Sequence, residues 1–229
     1  MLFLKDEQGP GTEEFRTLRS RLYQMREKQP LKKILVTSSL PKEGKSFVAA
    51  NLAQALAWQQ GRRVLLIDGD LRASRLHLAL GSASTPGLSE YLQGEVDEFR
   101  IMQRGVMENF FFIPAGRSNA HPGELIANGR LKVLLNRVEG LFDWVIVDSP
   151  PAVPVSDAGL IANSCDGVLM VVRSCETPSD LALKARAEFD DRLLLGVVLN
   201  GARGNSASYG KYYGAYGRSG EDGRVRGKE

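Results

Sequence analysis

The loop SLPKEGKS, residues 39–46, constrains this chain more than any other stretch. It follows an apolar run, KKILVTSS (32–39), and opens a long helix-forming segment, GKSFVAANLAQALAWQQG (44–61). A second apolar run, RVLLIDGD (63–70), comes next. Strand, loop, helix and strand in that order make a βαβ unit, whose crossover helix returns the chain to a parallel strand. The loop fits the phosphate-binding pattern G-x-x-x-x-G-K-[ST] at Gly44, Lys45 and Ser46, with Ser39 in place of the first glycine. It is a deviant Walker loop. Its backbone N–H groups and the helix N-terminus suit phosphate. Lys45 would reach the β- and γ-phosphates, and the Ser46 hydroxyl would ligate Mg²⁺. Lys42, Glu43, Gly44 and Phe47 complete the expected ATP-binding segment. The plainer alternative is a strand–turn–helix connection carrying a chance GKS.

The alternation continues to Asn200. The spacing predicts a first helix over 12–28, with Phe15, Leu18, Leu22 and Met25 at helical intervals. Short helices are expected near 74–80 and 87–93, and a strand at Phe110–Ile113. A single helix is expected over 124–141, followed by a strand over 143–151. Another helix lies near 157–164, a strand over 167–174, a helix near 178–190 and a last strand over 193–200. Residues 95–110 give no readable pattern. The strands lack period-two polarity, as in a parallel sheet covered on both faces. The fold expected is therefore α/β, a doubly wound, mostly parallel sheet with helices on both sides, binding ligands at the C-terminal strand ends.

Two of those strand ends are acidic. LLIDGDLR places Asp68 and Asp70 after the second strand, and WVIVDSPP places Asp148 in the Walker B position. Phosphoryl transfer needs such carboxylates to hold metal and aim the nucleophile. Acidic residues also end strands simply as turn formers, so the pairing of two such strands beside the phosphate loop carries the reading. Ser46 and Asp148 are expected on the metal. Asp68 and Asp70 share metal support and orientation of the acceptor, with the base left open between them. Arg72 would neutralise charge nearby, and Asn200 would meet the adenine.

After Asn200 the pattern stops. Eight of the last 29 residues are glycine. Four of the six tyrosines, Tyr209, Tyr212, Tyr213 and Tyr216, fall in YGKYYGAYG. A segment of this composition cannot bury a core and reads as a disordered tail over 203–229, beside a folded domain over 1–202. The net charge of +3 sits there too, since residues 1–200 carry 24 basic and 24 acidic residues. That excess is too weak to argue for nucleic acid. Cys165 and Cys175 read as reduced, packed thiols.

Together TSSLPKEGKS, LLIDGDLR and WVIVDSPP resemble the bacterial tyrosine kinases of capsular and exopolysaccharide synthesis. The resemblance runs from Glu13 to Asn200 and extends to the tyrosine-rich tail. It implies an autokinase that uses ATP and Mg²⁺ and takes the tail tyrosines as phospho-acceptors. It implies a ring, such as an octamer, formed through an E-x-x-R-x-x-R motif, here Glu13, Arg16 and Arg19. The same three residues also read as a solvated face with i,i+3 pairing. The resemblance further implies a transmembrane polysaccharide co-polymerase as activator, a tyrosine phosphatase as partner, and a cytoplasmic position at the inner face of the membrane. Partition and septum-positioning ATPases, the runner-up, carry a second lysine where this chain has Leu40. A binding module, in which nucleotide only controls assembly with a membrane partner, is the third class.

Overall fold

The computed structural model describes residues 11–105, 107–117 and 121–202. The tail reading and its four tyrosines lie outside the described residues. The elements run α1 (Thr12–Arg26), β1 (Lys33–Ser38), α2 (Lys45–Ala57), β2 (Val64–Asp68), α3 (Leu76–Leu80), α4 (Leu88–Gln93), α5 (Glu98–Ile101), β3 (Gln103–Arg104), β4 (Phe110–Ile113), α6 (Pro122–Ala127), α7 (Arg130–Glu139), β5 (Trp144–Asp148), α8 (Asp157–Ala162), β6 (Gly167–Arg173), α9 (Ser179–Arg186) and β7 (Leu194–Asn200).

The strands form one seven-stranded sheet in the order β3-β4-β2-β5-β1-β6-β7. Every pairing is parallel except β3 with β4. Strands β1, β2 and β5 are buried at every position, which is why their sequences are continuous apolar runs. One face carries α1 and α2, packed through Phe15, Leu22, Val48, Leu52 and Leu56 onto Ile34, Leu66 and Ile146. The opposite face carries α4, α7, α8 and α9 through Leu92, Leu134, Ile161 and Ala185. α2 is buried from Val48 through Ala57 because it lies between the sheet and α1, so alanine there gives close packing without bulk. It ends at Ala57, one turn before the Gly61 expected from sequence.

The single helix expected over 124–141 is two helices. Gly129 adopts φ 83°, a left-handed conformation that no helix interior accepts, and the chain restarts there as α7. The unread stretch 95–110 supplies α5 and the short edge strand β3. Of the two thiols, Cys165 is buried and Cys175 is exposed, so only the first is packed as expected. Among the described residues no helix is long and apolar enough to cross a membrane.

Candidate active site

The sheet brings the acidic strand ends together by register. Asp68 of β2 sits directly opposite Asp148 of β5. Strand β1, beside β5, feeds the loop that carries Lys45, so all three features share the C-terminal edge. Gly69 closes the arrangement. Its N–H donates to the Asp148 carbonyl at 2.8 Å. A Cβ at residue 69 would lie 2.6 Å from that same oxygen, so only glycine lets the two strand ends approach.

The Lys45 ammonium is the hub. It donates to Asp70 Oδ2 at 3.0 Å and to Ser46 Oγ at 3.2 Å, and lies 4.0 Å from Asp148 Oδ2. Burial lowers the Lys45 pKa, but the charges of Asp148 and Asp70 outweigh it and hold the ammonium above its ordinary value. Burial pushes the Asp68 carboxyl up to about 7, helped by the Asp148 charge and opposed by the Ser74 hydroxyl. Asp148 rises to about 6, again through burial first, with Lys45 and Ser46 pulling the other way.

The fit to Mg²⁺ rests on one orphaned atom. Asp148 Oδ1 is buried and has no hydrogen-bond partner. A carboxylate oxygen of this kind beside a serine hydroxyl suits a hard cation that also takes phosphate and water oxygens. Among the described residues no cage of three or more His, Cys, Asp or Glu side chains is gathered, and such a site needs none. The Asp68 oxygens already accept hydrogen bonds, from Ser74 Oγ at 2.7 Å and from the Asp70 N–H at 3.2 Å.

The phosphate loop is braced by its own acidic residue. The Glu43 side chain is buried. It accepts from the Leu40 N–H at 2.7 Å and from the Thr177 hydroxyl. Thr177 in turn accepts from the Arg173 N–H at 3.0 Å. The Asn200 amide donates to the Glu43 carbonyl at 2.8 Å. Gly44, at φ 96°, makes room for it, because a Cβ there would fall 2.1 Å from Asn200 Nδ2. Lys42 is exposed and also left-handed, at φ 70°.

Other expected site residues also have partners elsewhere in the fold. The Phe47 ring packs toward Phe15 of α1, with centroids 6.0 Å apart. Arg72 forms a two-pronged pair with Asp157, at 2.7 and 3.0 Å, and fastens the loop after β2 to the start of α8. Glu13 pairs with Arg16 within α1, whereas Arg19 donates to the Ala55 carbonyl at 2.7 Å and ties α1 to α2. Ser74, Asp157 and Thr177 escaped sequence reasoning. Asp157 and Thr177 act across 85 and 134 residues, whereas Ser74 reaches back six residues to Asp68 around the turn after β2.

A phosphate loop beside paired acidic strand ends in a parallel sheet defines a P-loop nucleotide-binding protein. Residues 34–214 match the CbiA family, described as the CobQ/CobB/MinD/ParA nucleotide binding domain. The chain is 34% identical over 206 residues to the tyrosine-protein kinase YwqD of Bacillus subtilis, covering 89% of this chain and 86% of that one. It is 35% identical over 214 residues to EpsB of Ralstonia solanacearum, covering 91% of this chain but only 28% of that longer protein. Its fold superposes on the kinase domain of the Escherichia coli tyrosine kinase ETK with a TM-score of 0.83 at 29% identity, over 89% of this chain and 82% of the other. Within the CobQ/CobB/MinD/ParA family, the chain belongs to the bacterial tyrosine-protein kinases.

Proposed function

We propose that this chain transfers the γ-phosphoryl group of ATP to tyrosines of its own C-terminal segment, chiefly Tyr209, Tyr212, Tyr213 and Tyr216. The observation that carries the reading is the Asn200 contact. The last residue of β7 donates to the phosphate loop at Glu43, so the last strand ends beside that loop, nine residues before Tyr209. Eleven residues lie between Asn200 and Tyr212, and a glycine-rich spacer of that length spans about 20 Å. That reach admits a neighbouring site in an assembly.

In the step proposed, the bond between Pγ and the β–γ bridging oxygen breaks as the tyrosine Oη–Pγ bond forms, and ADP departs. Ser46 and Asp148 would hold Mg²⁺, which when bound would supply charge neutralisation at the phosphates. Lys45 exchanges Asp70 for the β- and γ-phosphates. Asp68 and Asp70 orient the phenol and receive its proton as the pair they form. A loose transition state asks more of positioning than of base strength. Arg72 acts on the site by anchoring its loop through Asp157. Glu13 and Arg16, half-exposed or exposed on α1, suit an interface between copies in a ring such as an octamer, with Arg19 holding that helix in place. Capsule or exopolysaccharide synthesis, a transmembrane co-polymerase as activator, a tyrosine phosphatase as partner and a place at the inner membrane face complete the proposal.

Intact mass before and after incubation with ATP and Mg²⁺ tests it. Steps of one phosphate, mapped to 209–217 and absent in Lys45→Ala and in the four-tyrosine-to-phenylalanine variant, are expected. ATP hydrolysis with no phosphate added to the chain, with or without the membrane activator, would instead mark an ATPase switch.

A further inference from the structure

Asp68 is fully buried, faces Asp148 across the sheet register, and lies two residues from Asp70 in the turn that follows β2. A carboxylate so placed is repelled by its neighbours and free to rotate about its last torsion unless something fixes it. One oxygen is held by the backbone, through the Asp70 N–H. The other is held by a side chain, the Ser74 hydroxyl at 2.7 Å, the shorter of the two contacts. Ser74 Oγ also lies 3.4 Å from His77 Nδ1, one turn into the following segment. A hydroxyl has a single proton. With that proton donated to the carboxylate, Ser74 accepts from His77, so the imidazole carries its proton on Nδ1.

We propose that Ser74 is a positioning residue of the acidic site: its hydroxyl, steadied by His77, holds the Asp68 carboxylate in the orientation in which it meets the tyrosine phenol. The inference rests on the kinase reading above. Nothing about the loop's own stability requires it, because Asp70 already accepts the Ala73 N–H at 3.0 Å and the Arg72 N–H at 3.3 Å to shape the turn. The Ser74 hydroxyl gives its one proton to Asp68.

The test uses the full chain and three proteins: wild type, Ser74→Ala and Ser74→Thr. Phosphate transfer to a tyrosine peptide is followed at varied ATP, and the His77 ring nitrogens are observed by ¹⁵N NMR. Loss of an outer hydrogen-bond partner of this kind lowers activity roughly 10-fold to 100-fold. The Ser74→Ala variant is expected to lose kcat at the lower end of that range with KM for ATP little changed. Ser74→Thr, which keeps the hydroxyl, is expected to recover most of it. The His77 proton is expected on Nδ1 in wild type and on Nε2 in Ser74→Ala. Unchanged kcat in Ser74→Ala, or a loss that Ser74→Thr leaves unrescued, overturns the proposal while leaving the kinase intact. A wild-type chain that binds ATP yet transfers nothing, even with the activator, overturns the kinase reading and this inference with it.

Discussion

Lys45 and Asp70 hold each other across the sheet edge, Nζ to Oδ2 at 3.0 Å, with Asp148 4.0 Å from the same ammonium. The lysine that should reach phosphate is thus engaged by carboxylates, and it keeps three buried acids from facing one another unscreened. Removing one partner of a buried ion pair costs roughly 3 kcal/mol or more, because the remaining charge is stranded. Lys45→Ala is therefore expected to abolish phosphoryl transfer and also to lower the melting temperature. The loss should be larger at pH 8 than at pH 5, where Asp68 and Asp148, raised to about 7 and about 6, take up protons and no longer need a cation. Thermal melts at the two pH values check this, and an equal loss at both would count against the pair.

Asp68 gives a prediction of opposite sign. Its carboxyl is raised to about 7 in the folded state, from an ordinary value of 3.8, chiefly by burial. A raised acid binds more protons folded than unfolded between about pH 4 and 7. The ligand-free fold therefore loses stability as pH climbs through that window. Asp68→Asn, which keeps the shape and a partner for Ser74, should stabilise the ligand-free chain above pH 7 by about 2 kcal/mol. The gain should vanish near pH 4. Phosphoryl transfer should fall in the same variant. Denaturant unfolding of both proteins across pH 4–8 measures it.

Much of this was legible in the sequence because the informative residues are contiguous. The apolar runs fix the buried parallel strands, and SLPKEGKS and IDGD each place their chemistry within a few positions. What could not be read depends on long closures. Glu43 meets Thr177 across 134 residues, Arg72 meets Asp157 across 85, and Asn200 meets Glu43 across 157. The contact of the Phe47 ring with Phe15 of α1 also joins segments far apart in the chain. Arg72 keeps its charge beside Asp70, but its pairing with the buried Asp157 could not be read locally. The break at Gly129 was visible as Asn-Gly inside a helical pattern, but the apolar periodicity on both sides hid it.

Gly69 carries the approach of β2 to β5. An alanine there would set its Cβ 2.6 Å from the Asp148 carbonyl, where neither strand can give way without opening the sheet edge. Gly69→Ala is expected to destabilise the fold by roughly 2 kcal/mol, within the range for strained backbone sites. It should cost more activity than that figure suggests, because it separates Asp68 and Asp70 from Asp148. Crystallography of the variant would show a widened Asp68–Asp148 distance, and an unchanged distance with full activity would sink the argument.

Glu43 separates two accounts of the loop. If its carboxylate contacts the nucleotide or metal, removing it should act on the chemical step. Its carboxylate is engaged by the Leu40 N–H and the Thr177 hydroxyl, where it braces a loop whose Lys42 is already left-handed. A buried donor left without its acceptor costs about 1–3 kcal/mol. The Leu40 N–H and Thr177 hydroxyl would both be stranded in Glu43→Ala, and the loop would relax to satisfy them. The expected result is nucleotide affinity weakened about tenfold, equivalent to about 1.4 kcal/mol, with kcat at saturating ATP largely kept. Thr177→Val should reproduce part of that loss although it lies far from Glu43 in sequence, and Thr177→Ser should restore it. A double variant, Glu43→Ala with Thr177→Val, should lose less than the two single losses combined, since both remove the same brace. Calorimetric titration with ATP and Mg²⁺ across the four proteins decides it: strict additivity, or a fall in kcat with affinity unchanged, would return Glu43 to the chemistry.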